Sequence, residues 1–442
     1  MRKMGWWLKV GAVVLVFAAA VVVALMNTTA STVSSGNIPQ MYINLDEVTL
    51  EEIDGGSKFS KYTGNEMILT YGGEELKYGD MEIGGRGNST WGQVKKPYQI
   101  KFDKKINLLG MGQARKWVLL ADYLDKSHLR NDLAFYVENM IGEEYALTGK
   151  YVELYINGDY RGLYYVAPKV EIGKNRVDLK DAMGVLVELE NLHDAYEVCY
   201  ASVEDDCIVV KDLVNDDNEI PAMQDFMESF DELILAAHNG EYDKVAKLID
   251  VESFAKYYLI SEFAVNPDAY LSSFFLYKDG VGDKIHAGPG WDFDLAFANK
   301  KWSYAREEGF YLPYNKQVMR EYSFDQEIYD EELDEMVSKS PETHYSKLMY
   351  YMIDMPEFEE KVKEVYREVM AGKRSVLAEY MRGQIDLIRD AVLRDEQKWG
   401  DEFDVGFDAE AERLLDWIMK RYDYFEEEYG TIGELKEMIE EV

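Results

Sequence analysis

Apolar and polar residues alternate with a period of two along much of the first half of the chain. Tyr98, Ile100 and Phe102 interleave with Gln99, Lys101 and Asp103, which predicts a half-buried strand. MYINL from Met41, EMILTY, GVLVELE and CIVVK read as further strands. YVELYINGDYRGLYYV is two β-rich runs around Asn157-Gly158, a hairpin whose Asn-Gly pair is simply a turn. From about residue 221 the period changes to that of amphipathic helices, in MQDFMESFDELILAAHN and VESFAKYYLISEF. A second hairpin, FFLYKD–GVGD–KIHAG, interrupts them, and beyond about residue 301 the chain is mostly helical. The pattern predicts an α+β protein, rich in antiparallel sheet first and helical last, without internal repeats.

The N-terminus breaks this pattern. Arg2, Lys3 and Lys9 precede a 17-residue uncharged apolar run, Val10 to Met26, with Trp6 and Trp7 at its edge. That length meets the lower limit of ~17–25 residues for a spanning helix and exceeds the ~7–15 of a signal-peptide core. The preferred reading of 1–26 is an uncleaved signal-anchor that places the rest of the chain outside the cell. Cleavage near Thr29–Ser31, giving a secreted protein, is the alternative. The small polar residues 27–37 read as a linker. An exported address permits a disulfide between Cys199 and Cys207, and two free thiols are the other possibility.

Charge changes the picture more than composition does. The 442 residues carry 84 acidic and 48 basic side chains, a formal net charge of −36, which argues against a nucleic-acid binder. The tail from Asp401 to Val442 has a net charge of −11 and reads as a solvated helical face. Against this, ten basic residues lie between Gly84 and Arg130, opposed only by Asp103, Asp122 and Asp125, a local balance of +7. Internal pairing accounts for several of them. The island also abuts a glycine-rich turn, GGRGNSTWG, whose backbone N–H groups suit an anion.

The five histidines form no HExxH pair, GxSxG and Walker A patterns are absent, and Thr90 stands where GxGxxG needs its last glycine. What remains is acidic. A helix ends near Phe263, a loop carries Asn266 and Asp268, and past the second hairpin comes Trp291-Asp292-Phe293-Asp294. Two carboxylates flanking an aromatic just beyond a strand can chelate a divalent cation. Basic island, loop Asp and metal Asp follow the order in which protein kinases place these parts. Without further context, WDFD is equally well a turn with solvated acids, and Trp91, Trp117 and Trp291 read as core packing.

GRGNSTW (85–91), KKPYQIKF (95–102), LLGM (108–111), KWVLLADYLDKSHLRN (116–131), LYINGDYRGLYYV (154–166), VELE (187–190), NPDAYLSSFFLYKD (266–279) and GPGWDFDLAFAN (288–299) together resemble the spore-coat protein H (CotH) kinase family. The resemblance implies an atypical protein-kinase-like fold, with a sheet-rich N-lobe and a helical C-lobe, in a core spanning 38–300. Residues 301–442 would then complete the C-lobe or form an appended helical domain. It implies a kinase that uses ATP and Mg²⁺ or Mn²⁺ to phosphorylate Ser or Thr of extracellular or spore-coat-type proteins. Asp268 would be catalytic, Asp292 the principal metal ligand and Asp294 the second. Arg86, Lys96 and Lys101 would face the nucleotide phosphates, Asn88, Ser89 and Thr90 would line the phosphate turn, and Arg130 is a further candidate.

The chain departs from the family pattern where VAPKV places Pro168 at a position commonly occupied by Glu. Proline has no acid to offer there, so Glu171 or Glu188 must substitute. Otherwise the chain is a catalytically inactive surface module. A glycosidase built on Asp268 and Asp292 is a third reading, which leaves the basic island without a role.

Overall fold

The computed structural model describes residues 38–45, 48–87, 89–191, 199–299, 306–321, 326–330, 335–339, 345–400 and 405–430. The apolar run 10–26 lies outside them, and among the described residues no helix is long and apolar enough to cross a membrane.

The first half is a barrel. Its strands are β1 (Gln40–Leu45), β2 (Lys61–Tyr71), β3 (Glu74–Tyr78), β4 (Met81–Gly85), β5 (Tyr98–Asn107), β6 (Gln113–Leu120), β7 (Lys150–Ile156) and β8 (Asp159–Pro168), with α1 (Leu50–Gly55) after β1 and α2 (Arg130–Met140) after β6. The order β1-β7-β8-β6-β5-β4-β2-β3 closes on itself because β1 also pairs with β2, Gln40 opposite Thr70. Closure pairs β1 and β2 on both sides and leaves the short, exposed β3, paired with β2, as an edge. The alternation in β5 has the expected sense: Tyr98, Ile100 and Phe102 are buried inside with Met41, Ile83 and Trp117, while Gln99 and Lys101 point outward. β8 is different, since its last eight residues are all buried. One face fills the barrel through Tyr164 and Val166; the other, Leu163, Tyr165 and Ala167, packs on the helical body.

Asn157 and Gly158 both have positive φ, 49° and 81°, as the tight β7–β8 turn requires. Asn157 does more than turn the chain: its Oδ1 accepts from the Leu45 N–H at 2.8 Å and its Nδ2 donates to the Val48 carbonyl at 2.9 Å. It therefore pins β1 to the hairpin.

The second half is built on a five-stranded sheet, β10 (Tyr200–Ala201), β11 (Cys207–Leu213), β9 (Val185–Leu189), β12 (Phe274–Lys278) and β13 (His286–Ala287), in that order. Cys199 and Cys207 are disulfide-bonded across the β10–β11 hairpin, with Cα atoms 5.6 Å apart. Helices α3 (Glu219–His238), α4 (Tyr242–Leu248) and α5 (Val251–Ala264) cover the sheet. A helix, α6 (Tyr311–Glu321), and a separate two-stranded ribbon, β14 (Gln326–Asp330) and β15 (Glu335–Lys339), follow. Helices α7 (Lys347–Met352), α8 (Pro356–Val369), α9 (Arg374–Trp399) and α10 (Phe407–Phe425) share one continuous apolar core with α3–α5 and the outer face of β8. The C-terminal helices thus complete the body. Asp395 of α9 reaches into the barrel wall, where its Oδ1 accepts from the Leu163 N–H at 2.8 Å and pairs with fully buried Lys95 at 2.7 Å. Gly162 is required there, because a Cβ would lie 2.0 Å from that oxygen.

Candidate active site

Two loops on either side of the β12–β13 hairpin bring the acids together. The first begins where α5 stops: Val265 takes the left-handed conformation, φ 48°, ending the helix. Asn266 then shapes the turn, its Oδ1 accepting from the Asp268 N–H at 3.2 Å, while Leu271 and Ser272 N–H groups donate to the Asp268 carbonyl at 3.0 Å. The second loop follows β13. Glu138 of α2 accepts from the Gly290 N–H at 2.7 Å, and Asn131 of α2 accepts from the Phe293 N–H at 3.1 Å. Asn299 donates to the Asp294 carbonyl at 2.7 Å. Phe293 is buried as the anchor, leaving Asp292 exposed and Asp294 half-buried on the other side. Asn266 Nδ2 donates to the Asp292 carbonyl at 3.4 Å and so ties the two loops together.

Backbone strain concentrates here. Of the eleven non-glycine residues with positive φ among the described residues, Asp122, Val265, Tyr270, Ser273, Asp292, Phe297 and Ala298 belong to these loops or face them. Such conformations persist only where the surroundings impose them, and they gather at functional sites.

The electrostatics are those of unneutralised acid. Burial, and then Asp292, push the Asp268 carboxyl up to about 7. Burial lifts Asp294 well above the usual range, reinforced by Asp292, Asp268, Asp122 and Asp125. Asp122, just past the end of β6, is pushed up to about 7, mainly by burial and then by Asp125; Asn131 Nδ2 donates to its Oδ1 at 3.1 Å and partly offsets this. The opposing cation is Arg86. Its guanidinium lies 5.4 Å from the Trp291 ring, and burial lowers its pKa against the pull of Asp292, Asp294 and Asp122. Gly87, φ 80°, lets the turn fold so tightly that a Cβ there would lie 2.0 Å from Thr90 Oγ1.

The other expected site residues are dispersed. Lys96 stays at the turn, donating to the Trp91 carbonyl at 2.7 Å and lying 5.2 Å from the Trp91 ring. Asn88 lies outside the described residues, as does the side chain of Ser89. Lys101 points away from the acids and pairs with Glu82 at 3.6 Å. Arg130 does not face a nucleotide. It is fully buried, paired with Asp125 and with Glu410 at 2.8 Å, and its Nε donates to the Ala296 carbonyl at 2.9 Å. Glu188 is buried in β9 and paired with Lys211, while Glu171 pairs with Lys116 at 3.0 Å. Sequence reasoning counted Asp122 merely as an opponent of the basic island. Its place just past a strand end, two residues after β6, is the signal that marks it. Asn131 carried no such signal.

The donor set suits a divalent cation shared with a ligand. Among the described residues, no three His, Cys, Asp or Glu side chains form a ready-made cage. Mg²⁺ typically takes one or two carboxylates and completes its shell with water and phosphate oxygens, and Asp292 and Asp294 offer that much beside crowded negative charge.

The model of the CotH kinase protein family matches residues 83–425. Among solved structures, the Helicobacter pylori proinflammatory kinase CtkA aligns at 11% identity and a TM-score of 0.28, covering 86% of this chain and 98% of that one. No curated protein matches. The family match runs from the strand before the glycine-rich turn to the end of α10, well over half of the chain, and includes both acidic loops. The chain belongs to the CotH kinase family.

Proposed function

We propose that this protein is an ATP- and divalent-metal-dependent phosphotransferase that phosphorylates Ser or Thr of proteins outside the cell, spore-coat-type proteins among them. In this reading residues 10–26 anchor it in the cell membrane, or are removed to release it. One observation carries the reading: Asp268, Asp292 and Asp294, from two strained loops, crowd one another, and Asp292 and Asp294 act on a half-buried arginine, Arg86, supplied by a glycine-rich turn.

Each residue has a task in phosphoryl transfer, which consists almost entirely of positioning and charge neutralisation. Asp268, with its carboxyl near 7, orients the acceptor hydroxyl and takes its proton as the oxygen–phosphorus bond forms. The bond from the γ-phosphorus to the bridging oxygen breaks, and ADP leaves with that electron pair. Arg86, acted on by Asp292 and Asp294, would oppose charge on the phosphates. A Mg²⁺ or Mn²⁺ ion held by Asp292 and Asp294 would supply further positive charge to the phosphate oxygens. Lys96 and the N–H groups of the turn frame the anion.

Pro168 favours the second reading, a catalytically inactive surface module. It sits in β8 opposite Trp117, with no acid to give. Glu171 and Glu188, each already holding a lysine, are the substitutes on which activity would depend.

The test is incubation of the protein with γ-labelled ATP, Mg²⁺ or Mn²⁺ and a Ser-rich acceptor, beside Asp268→Asn and Asp292→Asn. Label on protein with the wild type, absent in both variants, supports the kinase. Absence of label together with absence of metal-dependent ATP binding, in folded protein, supports the inactive module.

A further inference from the structure

Much of the basic island lies away from the acids. Lys101, Lys105, Arg115 and Lys116, joined by Lys174 and Arg176 from the segment after β8, line one groove of about 230 Å³. Six cationic side chains therefore share a small space in a protein of net charge −36. Two acids also line it, Glu171 and Asp212, and both are engaged. Glu171 pairs with Lys116 at 3.0 Å, and Asp212 accepts from the Ile172 N–H at 2.8 Å.

Arg176 supplies an independent sign that the groove suits an anion. It is only 6% exposed, and its guanidinium lies 4.8 Å from the Trp117 ring. Its Nη1 donates to the Asn175 carbonyl at 2.6 Å, but Nε and Nη2 are buried without a partner among the described residues. A buried guanidinium that leaves two of its nitrogens without an acceptor carries a desolvation cost that an anion would relieve.

The groove is not an extension of the acidic centre. Tyr98 of β5 pairs with Gly85, next to Arg86, and Lys101 and Lys105 lie further along the same strand, on the order of 10 and 20 Å away at ~3.3 Å per residue. Its volume is below the ~300–1,000 Å³ of pockets that enclose a whole small molecule, so it suits one charged group on a chain that continues outside. Several converging cations match a dianionic phosphate better than a single carboxylate.

We propose that this groove docks a phosphoserine or phosphothreonine of the acceptor protein, so that a site already phosphorylated holds the acceptor while a second is modified. This deepens the kinase reading and rests on it for the source of the phosphate. The docking itself is a binding property and can be tested without catalysis.

The probe is a fluorescent Ser-rich peptide carrying one phosphoserine, compared by anisotropy with its unphosphorylated twin on the full chain. The phosphopeptide should bind more tightly. Lys105→Glu with Lys174→Glu should weaken it about tenfold or more, while metal-dependent ATP binding stays unchanged. Arg176→Lys, which keeps the charge and removes the fork, should weaken it less. Equal binding of the two peptides, or binding indifferent to the charge reversals, overturns the proposal. Loss of ATP affinity in the reversed variant would assign the groove to the nucleotide and also overturns it. Competition by inorganic phosphate at the same concentration as the peptide would reduce it to a bare anion site, again against the proposal. Asp292→Asn should leave peptide binding intact, which separates failure of the groove from failure of the kinase reading.

Discussion

Arg86 and Arg130 come from the same basic stretch and end in opposite surroundings. Around Arg130 the charges are saturated: Asp125, Glu410 and the carbonyls of Ala296 and Phe297 take up its donors, and α2, the loop after WDFD and α10 are fastened together. Around Arg86 they are not: burial pulls its pKa down, and Asp292, Asp294 and Asp122 act on it while crowding one another. A buried ion cluster that closes on itself serves architecture, because removing one partner strands the others. A cluster left with excess charge of one sign serves a ligand, because the missing counter-charge must arrive with it.

The largest expected effects lie at the open cluster. Asp268→Asn should reduce phosphoryl transfer at least ~10²–10⁴-fold, the usual share of a general base. Asp292→Asn should abolish transfer and metal-dependent ATP binding. Neither substitution should lower the melting temperature in metal-free buffer, since each removes a charge from a repulsive group. A variant that loses activity by unfolding would place these acids with the saturated kind.

At the closed cluster the order of effects reverses. Arg130→Met leaves Asp125 and Glu410 without their buried partner and should cost about 3–5 kcal/mol of stability in denaturant unfolding. Arg86→Met should cost little stability and should raise the KM for ATP. If Arg86→Met destabilises as much as Arg130→Met, the contrast between the two arginines fails.

A smaller effect should appear with pH. Burial pushes Glu143, which packs against Gly288, up to about 8, and Glu262, beneath the start of α6, up to about 7. Between pH 4.5, the ordinary carboxyl value, and these raised values, the folded state holds protons that the unfolded chain releases, so stability falls as pH rises and levels off above about 8. His128 acts in the other direction. Burial and Lys95 lower it to about 3, so its contribution is lost only as pH drops below its ordinary 6.5. From pH 6.5 to 8 the acids act alone. The unfolding free energy should fall across that interval, and Glu143→Gln should flatten the fall by on the order of 1–2 kcal/mol.

The same contrast sets how far the site could be read in the sequence. Strand alternation located β5 and both hairpins, because a period of two is a local property of neighbouring residues. Asp268, Asp292 and Asp294 were legible as a group because a turn, an aromatic anchor and a hairpin surround them within thirty residues. Barrel closure was not legible, since it rests on β1 pairing with both β2 and β7. Arg130 was misplaced because its partner Glu410 lies 280 residues away. Nothing near Lys95 in the sequence marks it as buried, since its partner Asp395 comes from α9. Nor could Asn157 show from its turn alone that it also clamps β1. Saturated clusters recruit partners from anywhere in the chain, so they hide from a linear reading.

The smallest effect separates burial from pairing. Arg374 of α9 makes a two-pronged contact with Asp423 of α10, Nε to Oδ1 at 2.6 Å and Nη2 to Oδ2 at 3.0 Å, geometry as good as that around Arg130. The side chains, however, are 48% and 57% exposed. Water already solvates both charges, so pairing them recovers little, and salt screens what remains. Arg374→Ala should cost no more than about 1 kcal/mol in denaturant unfolding, and the cost should shrink further in high salt. A loss approaching that of Arg130→Met would mean that pair geometry, not enclosure, sets the strength of these contacts. The distinction between the saturated and the open cluster would then have to be drawn from geometry alone, where Arg86, near three carboxylates and over an aromatic ring, would look no different from a structural arginine.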